Sequence, residues 1–160
     1  MKKDKQLLSH LNVAGNPQMV DVSPKNITAR TATATSIVSF PAIVFKELTK
    51  NKFLSKKGSI FHTAIIAGTM GAKRTAELIP LCHPLQLSTI NVDIETGENL
   101  LAITAVVKCE GKTGVEMEAL MAASIAALTV YDMCKALSHD IVIKETKLVE
   151  KKGGKSDFKR

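Results

Sequence analysis

The chain has 160 residues and a net charge of +7, from 22 Lys and Arg against 15 Asp and Glu. Apolar residues make up 45%, too many for a disordered chain, and no run approaches the ~20 apolar residues of a membrane span. The length suits one domain with a core of its own, and with no Trp, one Tyr and five Phe it offers few stacking platforms for single-stranded nucleic acid. In chain order, residues 1–27 read as a polar lead-in with turn formers at Gly15, Asn16, Pro17 and Pro24, of which 1–18 are expected to be a flexible tail. Residues 28–38, TARTATATSIV, alternate Thr with small residues, a strand pattern. Ser39 as N-cap, with Pro41 in the first turn, predicts a short helix to about Leu48. A lysine-rich loop over 49–58 follows, and Ser59 predicts the cap of a second helix over about 60–79, stopped by Pro80. Residues 85–95 and 99–109 alternate as the strands of a hairpin about Thr96-Gly97-Glu98-Asn99. Thr113-Gly114-Val115-Glu116 reads as a capping box opening a long helix to about Leu137. A last strand is expected over about 141–149, with KKGGKSDFKR at 151–160 as a second flexible tail.

Merging the first two helices leaves β-α-β-β-α-β, the ferredoxin-like pattern: an α+β fold with an antiparallel sheet and helices on one face, in a single domain spanning 1–160. The N-terminus lacks an apolar run long enough for a signal peptide. Three widely spaced cysteines, Cys82, Cys109 and Cys134, fit reduced thiols, so a cytoplasmic location is expected. Residues 1–5, with Lys2, Lys3 and Lys5 against Asp4, carry +2, and 151–160 carry +4, leaving the body near neutral. Its one basic stretch sets Lys46, Lys50, Lys52, Lys56 and Lys57 against Glu47 alone.

Asp132 and Lys135 lie three apart, so one helix face presents a carboxylate and an ammonium, either an acid/base couple or an ordinary ion pair. Glu118 shares that face but lies about 21 Å away along the axis, too far for one small substrate within one subunit. An antiparallel pairing of this helix across a two-fold would bring Asp132 of one copy towards Glu118 of another. Cys82-His83 lacks the second cluster a zinc site needs, and adjacent residues in an extended segment point apart, against a nucleophile pair; a rigid loop or a ligand-contacting loop remains. GGKS at 153–156 lacks the earlier Gly and following helix of a phosphate loop. Lys56-Lys57-Gly58 and Lys73-Arg74 are candidate phosphate contacts or solvated pairs.

The strings AKRTAELIPLCHPLQLS (72–88) and GKTGVEMEALMAASIAALTVYDMCKAL (111–137), with MVDVSPK (19–25), KKG (56–58) and the GGKS tail, resemble the MoaC family of molybdenum-cofactor biosynthesis, the cyclic pyranopterin monophosphate synthases. The resemblance covers nearly the whole chain from about His10. It implies a ferredoxin-like hexamer, a trimer of dimers with sites at subunit interfaces, and a lyase that converts 3′,8-cyclo-7,8-dihydro-GTP to cyclic pyranopterin monophosphate and pyrophosphate. It implies a small nucleotide substrate, with no cofactor, metal, nucleic acid or membrane. By matching motif it assigns catalytic roles to Asp132, Lys135 and Lys57, and substrate contacts to Leu81, Cys82, His83, Met117 and Glu118. Lys73 and Glu116 would line the pocket, and Arg30, Lys151 and Lys155 would serve the phosphates. The sequence departs from the family pattern at Ser59, where an acidic residue is expected, and at Ile65 for Arg, Lys152 for Ser and Asp157 for Gly. The competing class, a non-catalytic nucleotide- or RNA-binding ferredoxin-like module, would expose aromatics on its sheet face.

Overall fold

The structure, a computed structural model, describes residues 10–12 and 14–160. Lys2, Lys3, Asp4 and Lys5 of the basic N-terminus lie outside the described residues. Strand β1 (Thr28–Ser39) is followed by helix α1 (Ala42–Lys50) and the short strands β2 (Leu54–Ser55) and β3 (Gly58–Ser59). Helices α2 (Ile60–Lys73) and α3 (Thr75–Leu78) lead to the hairpin β4 (Leu87–Gly97) and β5 (Leu100–Gly111). Helix α4 (Glu116–Cys134), β6 (Val142–Lys152) and β7 (Phe158–Lys159) complete the chain. The five-stranded sheet has the order β4-β5-β1-β6-β7, antiparallel throughout. That is the expected ferredoxin-like arrangement, with one extra edge strand.

Alternation in β1 has a direct cause in the register. Ala32, Ala34 and Val38 are buried, and their partners Val107, Ala105 and Leu101 on β5 are buried on the same face. The small residues let α4 approach closely through Ala119, Ala122, Ala123, Ala126 and Ala127, all fully buried. Helix α4 also packs on α2, where Gly68 and Gly71 leave the room: a Cβ on Gly68 would lie 2.8 Å from the Ala122 carbonyl oxygen. By length and composition alone α4 could cross a membrane, unlike anything expected from the sequence. Here its apolar side covers the sheet and α2 instead.

Several boundaries differ from the sequence-based expectation. Ser39 remains in β1, where its hydroxyl donates to the Val142 carbonyl at 3.4 Å, and Pro41 takes the N-cap position of α1. The second helix breaks at Arg74, and the Thr75 hydroxyl behind the break donates to the Ala72 carbonyl at 2.9 Å. The Ser59 cap forms, accepting from the His62 N–H at 3.3 Å. The Thr113–Glu116 capping box does not: Val115 is the N-cap of α4 and no side-chain cap bond is made. Residues 151–160, expected as a tail, continue β6 through Lys152 and return as β7 against Glu150 and Lys151.

Candidate active site

The lysine-rich loop is a tight hairpin. Leu54 pairs with Ser59 and Ser55 with Gly58, leaving Lys56 and Lys57 at the tip. The Ser55 hydroxyl donates to the Gly58 carbonyl at 3.0 Å and accepts from the Lys57 N–H at 3.1 Å, and Gly58 supplies a φ of 110°. Before the hairpin, Lys52 and Phe53 both adopt left-handed conformations, φ 51° and 53°. Phe53 is buried against Phe45 and Phe61, with ring centroids at 5.8 and 4.6 Å, and this contact holds the strained segment in place.

The tip faces the C-terminal end of α4. There Lys135 Nζ lies 2.7 Å from Asp132 Oδ1. Lys57, Asp132 and Lys135 line one cavity of about 530 Å³ with an apolar floor that includes Leu48, Ile60 and Met133. The Lys135 ammonium, by hydrogen bond and charge, lowers the Asp132 carboxyl below its ordinary value, and Lys57 adds to this. Asp132 in turn raises Lys135.

The remaining predicted contacts gather at the other end of α4. Leu81, Cys82, His83, Glu116, Met117 and Glu118 line a cavity of about 240 Å³. Arg30, Lys151 and Lys155 line a second, of about 200 Å³, which shares Lys25, Thr113, Gly114 and Glu116 with the first. Lys73 lies apart from both, in a cavity of about 130 Å³ that also touches Glu118 and Leu85. The structure therefore brings the predicted residues together as two groups, one at each end of a 19-residue helix.

At the N-terminal end, a buried Glu118 is pushed up from the ordinary carboxyl value, mainly by desolvation, with Glu116 nearby adding to it. Glu116 pairs with Lys151 of β6 at 3.3 Å. Arg30, 9% exposed, donates from Nε to the Gly111 carbonyl at 3.3 Å. His83 Nε2 lies 2.8 Å from the Val20 carbonyl, and since a carbonyl only accepts, that nitrogen carries the proton. Lys112 Nζ donates to the Ser23 carbonyl at 2.7 Å. These two bonds tie the segment 20–25 over the cavities and set Lys25 on both. Lys25, Lys112 and Thr113 were missed as site residues by motif spacing, because the bonds that bring segment 20–25 to the cavities join residues more than 60 apart; the signal was in the MVDVSPK string for Lys25 and the GKTGVEMEAL string for Lys112 and Thr113.

Burial pushes Cys134 up to about 11 and also raises Cys82 and Cys109, helped by the Glu118 charge. Among the described residues, His, Cys, Asp and Glu form no group of three able to hold a metal ion.

The model of the MoaC family matches residues 19–154. The cyclic pyranopterin monophosphate synthase of Xanthomonas oryzae pv. oryzae is 59% identical over 152 residues, 94% of this chain and 92% of the relative. That of Lysinibacillus sphaericus is 55% identical over 152 residues, 92% of this chain and 94% of the relative. That of Helicobacter hepaticus is 51% identical over 156 residues, 96% and 97%.

Proposed function

The chain belongs to the MoaC family, and we propose that it is a cyclic pyranopterin monophosphate synthase, a phosphorus–oxygen lyase that converts 3′,8-cyclo-7,8-dihydro-GTP to cyclic pyranopterin monophosphate and pyrophosphate. The observation that carries the reading to this chain's own residues is the cavity pair at the N-terminal end of α4. One half, lined by apolar side chains such as Leu81 and Met117 beside His83 and Glu118, is sized for a ring system; the other is cationic, with Lys25, Arg30, Lys112, Lys151, Lys152 and Lys155 against Glu116. A triphosphate matches that charge, and the ring system it is attached to matches the adjoining space.

The chemistry has two parts. The purine five-membered ring opens and a pyrazine ring closes, which requires proton transfers. A substrate hydroxyl also attacks the α-phosphorus, its proton leaves, and the bond to pyrophosphate breaks. Arg30, Lys151 and Lys155 stabilise charge on the departing phosphates, and Lys57 acts as general acid. The Asp132–Lys135 pair holds its charges through each other, so Asp132 orients the lysine rather than serving as a free base. Leu81, Cys82, His83, Met117 and Glu118 bind the ring system, with Glu116 at the pocket wall and Lys73 in a neighbouring cavity that shares Leu85 and Glu118 with it.

The two groups meet in an assembly. Glu118 and Asp132 are separated by about 21 Å of helix, so one substrate reaches both only where α4 of one copy meets the opposite end of another. Ile66, Met70 and Leu128 leave an exposed apolar patch on the α2–α4 side of the layer, suited to such a contact. The family resemblance implies a hexamer built as a trimer of dimers, and three free thiols fit a reducing compartment such as the cytoplasm. The RNA-binding alternative is not favoured. Phe40, Phe45, Phe53 and Phe61 pack on one another rather than on the open sheet face, and Phe158 lies beneath the Arg160 guanidinium at 5.7 Å. Incubation with the cyclised substrate tests the function: release of pyrophosphate with cyclic pyranopterin monophosphate is expected, and tight binding without turnover would contradict it.

A further inference from the structure

The C-terminal residues close a loop whose shape rests on one carboxylate. Gly153 has φ 82°, and a Cβ there would collide with the Ala29 carbonyl oxygen of β1. Its carbonyl accepts from the Thr28 hydroxyl at 2.8 Å. Its N–H donates to Asp157 Oδ1 at 3.0 Å, four residues on. The chain then returns as β7, and Arg160 ties the end down, its N–H donating to the Val149 carbonyl at 2.8 Å and its Nε to the Leu148 carbonyl at 3.2 Å. The loop so closed sets Gly154 against Arg30, where a Cβ would lie 3.0 Å from Nη1, and puts Lys155 on the cationic cavity beside Arg30 and Lys151.

We propose that Asp157 is a positioning residue for the triphosphate end of the substrate: by bonding the Gly153 N–H it fixes the 153–157 loop in the shape that delivers Lys155 to the phosphates. The inference rests on the reading of that cavity as the phosphate site. Its sign is unusual. Asp157 adds negative charge beside an anion pocket, so on electrostatics alone its removal should tighten phosphate binding. As a loop fastener its removal should weaken binding, because the ligand must then order a loop that was already ordered.

The experiment uses the full chain and two variants, Asp157→Ala and Asp157→Asn. Tripolyphosphate affinity is read by titration calorimetry at one ionic strength, and KM and kcat by pyrophosphate release. Asp157→Ala is expected to weaken tripolyphosphate binding and raise KM roughly fivefold, the worth of one hydrogen bond, with kcat kept. Asp157→Asn retains the acceptor oxygen and is expected to bind as well as the parent or better. In a Lys155→Ala background, Asp157→Ala is expected to add little. Binding in Asp157→Ala that is unchanged or tighter would overturn the proposal while leaving the phosphate site intact. Failure of the parent protein to bind tripolyphosphate, or indifference of its binding to Arg30→Ala and Lys151→Ala, would overturn the phosphate-site reading itself, and the proposal with it.

Discussion

Asp132 and Lys135 show how a single ion pair constrains a mechanism. The pair is half exposed, so its effect on folding is small. Its effect on charge state is larger: Asp132 loses its charge only as pH falls below the ordinary 3.8, and Lys135 only as pH rises above the ordinary 10.5. Neither group can then produce a rate limb near neutral pH. Asp132→Asn is expected to lower kcat about 100-fold while the melting temperature stays unchanged; steady-state kinetics beside a thermal melt reads both. Glu118 works in the opposite direction. Its carboxyl is raised by burial, so the folded state holds that proton more tightly than the unfolded chain does. Stability from this group is therefore full below the ordinary value of 4.5 and is lost as pH climbs through the raised one. Glu118→Gln should remove that decline, leaving the variant more stable than the parent at alkaline pH and no more stable in acid, as read from urea midpoints across pH.

Among the elements, the β2–β3 hairpin carries the most chemistry on the fewest residues. Lys57 sits at a two-residue tip whose form depends on Gly58 at φ 110°, with nothing within 4 Å of a Cβ placed there. Gly58→Ala would meet no clash, only backbone strain of about 1–3 kcal/mol, confined to the hairpin. Its expected signature is a fall in kcat with KM nearly unchanged and a loss of global stability no larger than that strain; a kcat equal to the parent's would show that the tip geometry is not needed. The same hairpin marks a limit of local sequence reading. Its lysines and Gly58 were visible as a loop, but the left-handed Phe53 before them is set by contacts with Phe45 and Phe61 on two different helices. The capping box shows the limit from the other side. Thr113 and Glu116 have the spacing, yet Glu116 takes its partner from β6, at Lys151, 35 residues on. Where the determining contact is local, as at the Ser59 cap or the alternating hairpin of β4 and β5, the expectation and the structure agree.

At the scale of the molecule, alternation decides which face each strand buries, and the β-α-β-β-α-β pattern read from it agrees with the four long strands of the antiparallel sheet. The site was legible differently. Its residue identities came from motif strings, and their division between two ends of α4 came from helix geometry applied to Glu118 and Asp132. What spacing could not supply was the strap at 20–25 held by His83 and Lys112, nor the return of the C-terminus as β7, since both depend on contacts between distant segments. The basic balance is sharpened in the same way: six cations converge on one cavity from the lead-in, β1, the turn before α4, β6 and the C-terminal loop, while Lys57 and Lys135 line another. The central claim is that one active site takes its Lys57, Asp132 and Lys135 from one copy and its Glu118 from another. Mixing inactive Glu118→Gln and Asp132→Asn proteins under demonstrated subunit exchange tests it most directly. The account predicts recovered pyrophosphate release from about a quarter of the sites in an equal mixture, and no recovery despite complete exchange would contradict it.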